Sequence, residues 1–378
     1  MPNYLSLAEL NEALSVPDLS DPSDGKHAMQ LLLDEVITAL SSNWQLASVT
    51  HRFNPLVATR DNYDRLGYSP GAVTRDSRYS RHVSPTVMLR SHTSAGIPAL
   101  LDTLRETEER YDMLHVLPGL VYRRDAVDRH HVGTPHQLDI WRIKSRGMLG
   151  LPELHEMMQA VAQAVLPGCE WRATPTQHPY TSHGHQLDVL VTGANGSSEW
   201  LELGECGLIG SHILRAAGLE PRRWCGLAMG MGLDRALMLR KQINDIRLLR
   251  GTDPRVQSQL QDLSPWRPVS LMPPMHRDLS LVCDSSVDEE TLGDVARTAL
   301  GSRADELSAL EILANTPADQ LPAVARARLG IVEGQSNVLL RLTLQALDRT
   351  LTMSEANSLR DTVYLALHEG PVLELIAG

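Results

Sequence analysis

The chain has 378 residues and a formal net charge of −11, with 42% hydrophobic and 21% charged residues. This is an ordinary globular balance, and the length predicts two or three domains at roughly 100–200 residues each. No run of about 18 apolar residues occurs, the N-terminus has neither a basic nor an apolar targeting region, and the four cysteines make no CxxC pair; a membrane span, a leader, a zinc knuckle and a disulfide framework are therefore not expected, and a reducing cytoplasm fits.

Residues 1–22 are polar, contain Pro17 and Pro22, and read as a loose lead-in. SDGKHAMQLLLDEVITALSS, from Ser23, has a capping residue and a helical apolar pattern through Leu32, Val36 and Leu40. Residues 61–86, rich in Arg, Tyr, Ser and Gly, read as a long loop, and 92–111 as a second helix. The pieces LHVLPGLVYRRD and HQLDIWRIK are strand-like. Residues 151–168 form a third helix, entered at Pro152 and stopped by Pro167-Gly168. QLDVLVTG and SEWLELGECG alternate around ANGSS, a hairpin signal; SHILRAAGL and GLDRALMLRKQI read as helices. After SPWRPVSLMPPM (264–275), with its four prolines, the order is βαββα with a candidate last strand at 371–376, which suits a ferredoxin-like α+β domain.

One composition value stands apart: a single Phe, Phe53, against 6 Trp and 8 Tyr. Phe is a normal core residue. The scarcity of lysine beside arginine hints at a GC-rich source, but that bias alone need not remove Phe.

Three segments concentrate polar groups near strands. Arg123 and Arg124 follow an apolar strand, and His136, Gln137 and Asp139 open the next; the planar arginine fork suits phosphate oxygens, although a solvated hairpin would look the same. In SEWLELGECG, Glu199, Glu202 and Glu205 do not all share a face at a period of two, and an inward Glu202 suits Mg²⁺. Gly230-Met-Gly232 precedes a helix with Arg235 in its first turn, a close-approach pattern that is weak alone. His130-His131 and His183-x-His185 have no ligand partners at a recognised metal spacing.

Taken together and in order, these segments resemble the class II aminoacyl-tRNA synthetases, and among them the single-chain, mitochondrial-type phenylalanyl-tRNA synthetases. MLRSHTSAG (88–96) is similar to the family's "LR-[TA]-HTS" element, VYRRDAVDRHHVGTPHQLD to its motif 2, HPYTS (178–182) to "FPFT", EWLELGECG to "EWLE-x-x-G-[CA]-G", and GLAMGMGLDRALMLRKQINDIRLL to motif 3. RDLSLVCD and LLRLTLQALDRTLT resemble the family's anticodon-binding domain. The resemblance covers roughly residues 45–370.

It implies an α+β fold: a class II antiparallel sheet with flanking helices over 23–263, a Pro-rich linker at 264–275 and a ferredoxin-like anticodon-binding domain over 276–378. It implies an enzyme that joins ATP and phenylalanine into an adenylate and passes the acyl group to tRNA, with Mg²⁺, as a monomer. Arg123 would stabilise charge on the α-phosphate. Arg235 would bind distal ATP, Asp125 and Pro135 would border the nucleotide, and Glu202 would help hold Mg²⁺. His92, Ser94, Gln137 and Asp139 would orient the amino acid. Ala228 would set pocket depth, and His178, Tyr180, Glu205 and Cys206 would line it.

The departures are chain-specific. Pro135 stands where the family stacks a Phe on adenine, a loss on the scale of ~1–3 kcal/mol for base stacking. His178 and Tyr180 replace both pocket phenylalanines, and Glu205 replaces a glycine. Residues 271–378 hold 8 Arg, no Lys and 16 Asp+Glu, an acidic balance for an RNA-binding domain. Two further readings follow: a relative that activates a different amino acid, and a non-catalytic binding paralogue. Phe is missing from motif 2, the pocket, motif 3 and the whole C-terminal part, which suggests pressure against the residue itself. That pattern fits an auxiliary enzyme made when charged phenylalanyl-tRNA is scarce.

Overall fold

The computed structural model describes residues 4–75, 79–107, 109–123, 128, 131–192, 198–269 and 273–373. The chain divides into two compact units: Met1–Arg123, Thr134–Ile243 and Gln259–Trp266 form the first, and Arg124–Gly133, Asn244–Ser258 and Arg267–Gly378 the second.

The first unit begins with α1 (Leu7–Leu14) and α2 (Ala28–Trp44). Strands β1 (Ser48–Thr50), β2 (Leu56–Ala58) and β3 (Val87–Leu89) flank a short α3 (Thr59–Asn62). Then come α4 (Ile97–Thr103), β4 (Asp112–Leu120), β5 (His136–Ser145), α5 (Leu151–Val165), β6 (Trp171–Pro175), β7 (Thr181–Thr192), β8 (Ser198–Ile209), α6 (Ser211–Ala216), β9 (Trp224–Gly232) and α7 (Leu233–Lys241). Seven strands form one sheet in the order β1-β4-β5-β9-β8-β7-β6, antiparallel except where β1 meets β4.

The sheet has two distinct faces because side chains alternate along each strand. One carries Leu138, Ile140, Leu227 and Met229, all buried, and is covered by α2, α5 and α7. The Arg142 guanidinium on that face stacks on the Trp44 ring of α2, 4.6 Å from its centroid. The other face carries Asp139, Trp141, Ala228 and Gly230, and is partly covered by the 93–103 segment and α6. The candidate site lies on this second face.

The second unit starts with α8 (Pro254–Gln257), followed by β10 (Met275–Asp284), α9 (Glu289–Leu300), β11 (Leu307–Pro317), α10 (Ala323–Leu329), β12 (Gln335–Leu344) and α11 (Met353–Leu367). Its antiparallel sheet runs β10-β12-β11. Leu279, Leu281, Leu340 and Leu342 pack against Leu292 of α9 and Leu359 of α11, with Tyr364 as the aromatic member of that core. The α+β class is the one expected, whereas the expected βαββα order gains a helix, α10, between its second and third strands.

Several local expectations change. Residues 1–22 are not loose: α1 is closed by a capping box between Ser6 and Glu9, and Leu5, Leu10 and Val16 pack on Leu89, Leu120 and Tyr122. The first long helix starts at Ala28 with His27 as its cap, and Pro22–Asp24 forms a separate turn. The 61–86 segment holds helical turns at 64–66 and 73–75 and buries the Tyr63 ring. The expected 92–111 helix is only Ile97–Thr103, because Thr93–Gly96 is spent on a 3₁₀ turn and residues past 103 offer no apolar stripe. Residues 371–373 form no strand, and the rest of the expected last strand lies outside the described residues.

Candidate active site

Asp139 is the centre of the site. It sits mid-sheet on β5, fully buried, and its Oδ2 accepts from Thr93 Oγ1 at 2.7 Å. Its Oδ1 accepts from Trp141 Nε1 at 3.4 Å and from the Tyr180 hydroxyl at 3.5 Å. Burial pushes its carboxyl up to about 6, with the Thr93 and Trp141 hydrogen bonds opposing the rise. Gln137 stands two residues away on the same face, and its Oε1 accepts from the Thr93 backbone N–H at 3.1 Å.

The 92–96 turn therefore docks on β5 through Thr93 and delivers its neighbours. His92 is buried, with Nδ1 2.9 Å from Ser94 Oγ, and its ring stacks on Tyr68 at 5.4 Å. Burial, with the charges of His178 and Arg123, holds His92 down at about 3, so the ring is neutral.

The pocket walls follow from the ladder. Asp139 pairs with Gly230, which pairs with Glu205; Trp141 pairs with Ala228, which pairs with Gly207. Gly230 keeps the centre of this face open. A Cβ there would come within 3.6 Å of the Tyr180 hydroxyl, 3.7 Å of Asp139 Oδ1 and 3.9 Å of Gln137 Nε2. The Tyr180 ring lies 5.3 Å from Trp141 and 4.0 Å from His178. His178 Nε2 is 3.4 Å from the Tyr68 hydroxyl, and burial lowers its ring to about 4. Glu205 is half-buried and accepts from Thr176 Oγ1 at 3.2 Å; burial first, then the charge of Glu202, raises its carboxyl.

That last interaction has a backbone cause. Opposite β7, Gly204 pairs with Leu187 and Glu202 with Asp188, which leaves Leu203 as an extra residue. The bulge flips the alternation and turns Glu202 to the face of Glu205. Glu202 is exposed there, and its backbone oxygen accepts from Arg235 at 3.5 Å. Arg235 is exposed in the first turn of α7, and Arg123 is exposed three residues past β4, where it forms an isolated bridge with Ser80.

Most of the residues expected at the site thus share one face. Cys206 does not: its ladder partner is Met229 on the opposite face, its Sγ contacts the His185 carbonyl at 3.4 Å, and burial pushes its thiol up to about 12. Pro135 is half-buried, and its carbonyl accepts from Val121 N–H at 2.9 Å. Asp125 and His130 lie outside the described residues. No group of three metal-ligating side chains occurs among the described residues. Thr93, Tyr68 and the His136–Asp234 pair were not foreseen. Thr93 lies between two expected residues, His92 and Ser94, and Asp234 directly precedes the expected Arg235.

The site thus combines a fully buried carboxylate on an antiparallel sheet with the exposed guanidinium groups of Arg123 and Arg235, one group suited to a cation and two suited to phosphate oxygens. Residues 28–260 match the family model described as tRNA synthetases class II core domain (F), more than half of the chain. The chain belongs to this family. Among its relatives, it is 25% identical over 355 residues to the phenylalanine--tRNA ligase, chloroplastic/mitochondrial, of Arabidopsis thaliana, a match covering 89% of this chain and 75% of that one. The phenylalanine--tRNA ligase, mitochondrial, of Saccharomyces cerevisiae is 23% identical, with 89% and 85% covered. The phenylalanine--tRNA ligase alpha subunit of Mycolicibacterium vanbaalenii is 30% identical over 240 residues, covering 62% of this chain and 66% of that one. Among solved structures, a pyrrolysyl-tRNA synthetase from Desulfitobacterium hafniense aligns at a TM-score of 0.45 and 14% identity, covering 64% of this chain and 77% of that one. No helix among the described residues is long and apolar enough to cross a membrane.

Proposed function

We propose that the chain activates phenylalanine with ATP to an aminoacyl-adenylate and transfers the acyl group to tRNA. The observation that carries this reading is the buried Asp139, held by Thr93 and flanked by Gln137 over the open Gly230. The substrate's ammonium group would replace the Tyr180 hydroxyl as partner of Asp139, with Gln137 and Ser94 completing its hydrogen bonds. Its side chain would run over Ala228 between Trp141, Tyr180 and His178. One carboxylate oxygen would then attack the α-phosphorus as pyrophosphate leaves, while Arg123 stabilises the developing charge and Arg235 holds the distal phosphates. Burial is the main cause of the raised Glu205 carboxyl and the charge of Glu202 adds to it; a bound divalent cation would relieve that second part. Glu202 would hold Mg²⁺, which when bound screens phosphate charge. Pro135 would border the adenine without aromatic stacking, and Asp125 falls in the same motif 2 segment.

The tRNA would be read by the second unit, acting in a monomer. All four cysteines are free, which supports a reducing compartment such as the cytoplasm. The single Phe supports an auxiliary role when charged phenylalanyl-tRNA is scarce.

A second reading, activation of a different amino acid, is favoured by Glu205, a carboxylate directly across the ladder from Gly230. ATP–pyrophosphate exchange over the twenty amino acids decides between them. Exchange with phenylalanine alone supports the first reading, exchange with another amino acid supports the second, and none with any overturns both.

A further inference from the structure

The segment before the family core grips the site. The family match begins at residue 28, yet the backbone N–H of Leu19 donates to His136 Nε2 at 3.0 Å. An imidazole that accepts at Nε2 while neutral carries its proton on Nδ1. That nitrogen faces Asp234 Oδ1 at 2.9 Å, and the His136 backbone N–H also donates to Asp234 Oδ2. The His136 side chain is fully buried. Its sequence neighbour is Gln137, and the neighbour of Asp234 is Arg235. One imidazole thus joins the backbone of residue 19 to the start of the strand that carries Gln137 and to the first turn of the helix that carries Arg235.

The segment is fixed on both sides of this contact. Toward the N-terminus, Leu5 N–H donates to the His82 carbonyl at 2.8 Å, and α1 packs on Leu89 and Leu120. Toward the C-terminus, Arg52 donates to the Ser20 carbonyl and pairs with Asp21 at 3.3 Å, while Gln30 Nε2 donates to the Gly25 carbonyl at 2.6 Å. Asp18 accepts from Ser20 N–H and Oγ, so the turn that presents Leu19 is itself ordered.

We propose that residues 4–25 form an intramolecular strap that sets the relative placement of Gln137 and Arg235, with His136 as the positioning residue through which it acts. The inference rests on the proposed roles of Gln137 and Arg235 in substrate binding.

The test separates the two hydrogen bonds of His136. His136→Asn keeps a donor toward Asp234 at the Nδ1 position and loses the acceptor for Leu19; His136→Gln restores an acceptor near the Nε2 position. In the full chain, hydrogen exchange at the Leu19 amide reads the strap directly, and the Michaelis constants for ATP and the amino acid read the site. His136→Asn is expected to speed Leu19 exchange and raise the KM for ATP about tenfold, with a smaller change in kcat and partial recovery in His136→Gln. Deleting residues 1–22 is expected to raise KM equally, and the two changes together no further. Faster exchange at Leu19 with unchanged Michaelis constants overturns the proposal, as does additivity of the two changes. If the wild-type chain activates no amino acid, the proposed function fails; equilibrium binding of Mg·ATP to the same variants then tests the strap by itself, and affinity unchanged by His136→Asn overturns it.

Discussion

The ring of Phe53 lies against the bare backbone of Gly96, so near that a Cβ there would be driven into it. The same ring stacks on His51, with centroids 5.5 Å apart. Gly96 ends the turn that holds Thr93 and Ser94 at Asp139, so the chain's one phenylalanine wedges that turn. Gly96→Ala is expected to destabilise the first unit by about 1–3 kcal/mol, since well-packed sites resist added volume. That corresponds to a fall in Tm of about 2–4 °C per kcal/mol in a domain of this size. A melting temperature equal to wild type would show that the ring can move aside.

Asp139 predicts opposite pH effects on stability and substrate binding. Burial raises its carboxyl to about 6 in the folded protein. The folded state therefore holds the proton to higher pH than the unfolded state does. The stabilising contribution is complete below the unfolded value near 4 and is lost as pH rises through 6. Asp139→Asn should thus stabilise the protein at pH 8 by up to about 3 kcal/mol, with the difference vanishing near pH 4. Binding runs the other way, because an ammonium group pairs only with the ionised carboxylate. The KM for the amino acid should climb as pH falls below 6, and Asp139→Asn should raise it at pH 8 by roughly two orders of magnitude. Denaturant melts and exchange kinetics across pH 5–8 measure both; a wild-type KM flat through that range would remove Asp139 from the amino-group site.

Much of the frame is legible in the sequence because it follows periodicity. The β7–β8 hairpin is marked by two apolar runs around a turn segment and pairs in unbroken register from Thr192–Ser198 to Asp188–Glu202, and α5 and α11 carry clear apolar stripes. What escaped depends on contacts rather than pattern. Helix α1 is only eight residues long and buries no residue completely, and its stability comes from its cap and from packing on distant strands. The 92–96 turn looks helical, yet the hydrogen bond from Thr93 to Asp139, 46 residues away, fixes a different backbone. The common face of Glu202 and Glu205 contradicts a period of two and exists only because Leu203 is bulged, which no count along β8 alone can reveal.

Glu205 should act as a brake on phenylalanine. It shares its face with Glu202, is disfavoured as a charge by burial, and stands across from the open Gly230. Glu205→Gly removes the buried carboxylate and is expected to raise kcat/KM for phenylalanine about tenfold, the equivalent of about 1.4 kcal/mol. His178→Phe combined with Tyr180→Phe should add a similar gain from edge-to-face aromatic contact, about 0.5–1.5 kcal/mol per pair. If instead these changes lower activity with phenylalanine, the polar groups contribute to its binding and Glu205 is no brake.

The near absence of phenylalanine makes a prediction about synthesis rather than catalysis. The second unit shows that the deficit is not a packing defect: leucines fill its core, and Tyr364 supplies a ring. Aliphatic side chains bury enough apolar surface to fold a domain without Phe, provided total volume is kept. The fold therefore does not demand the depletion, and the depletion does not harm the fold, so the expected consequence is tested at decoding. When charged phenylalanyl-tRNA runs short, each Phe codon is a separate chance to stall, so the yield of full-length chain falls with the number of such codons. This chain meets one. In cell-free translation with phenylalanine withheld stepwise, its yield should fall no faster than that of a Phe53→Leu variant lowered by one codon's worth. A variant in which exposed leucines such as Leu7, Leu31 and Leu365 are recoded to Phe should fall progressively faster while keeping its exchange activity. Equal loss of the wild-type and recoded chains at every level of phenylalanine would refute the idea that its composition protects its own synthesis.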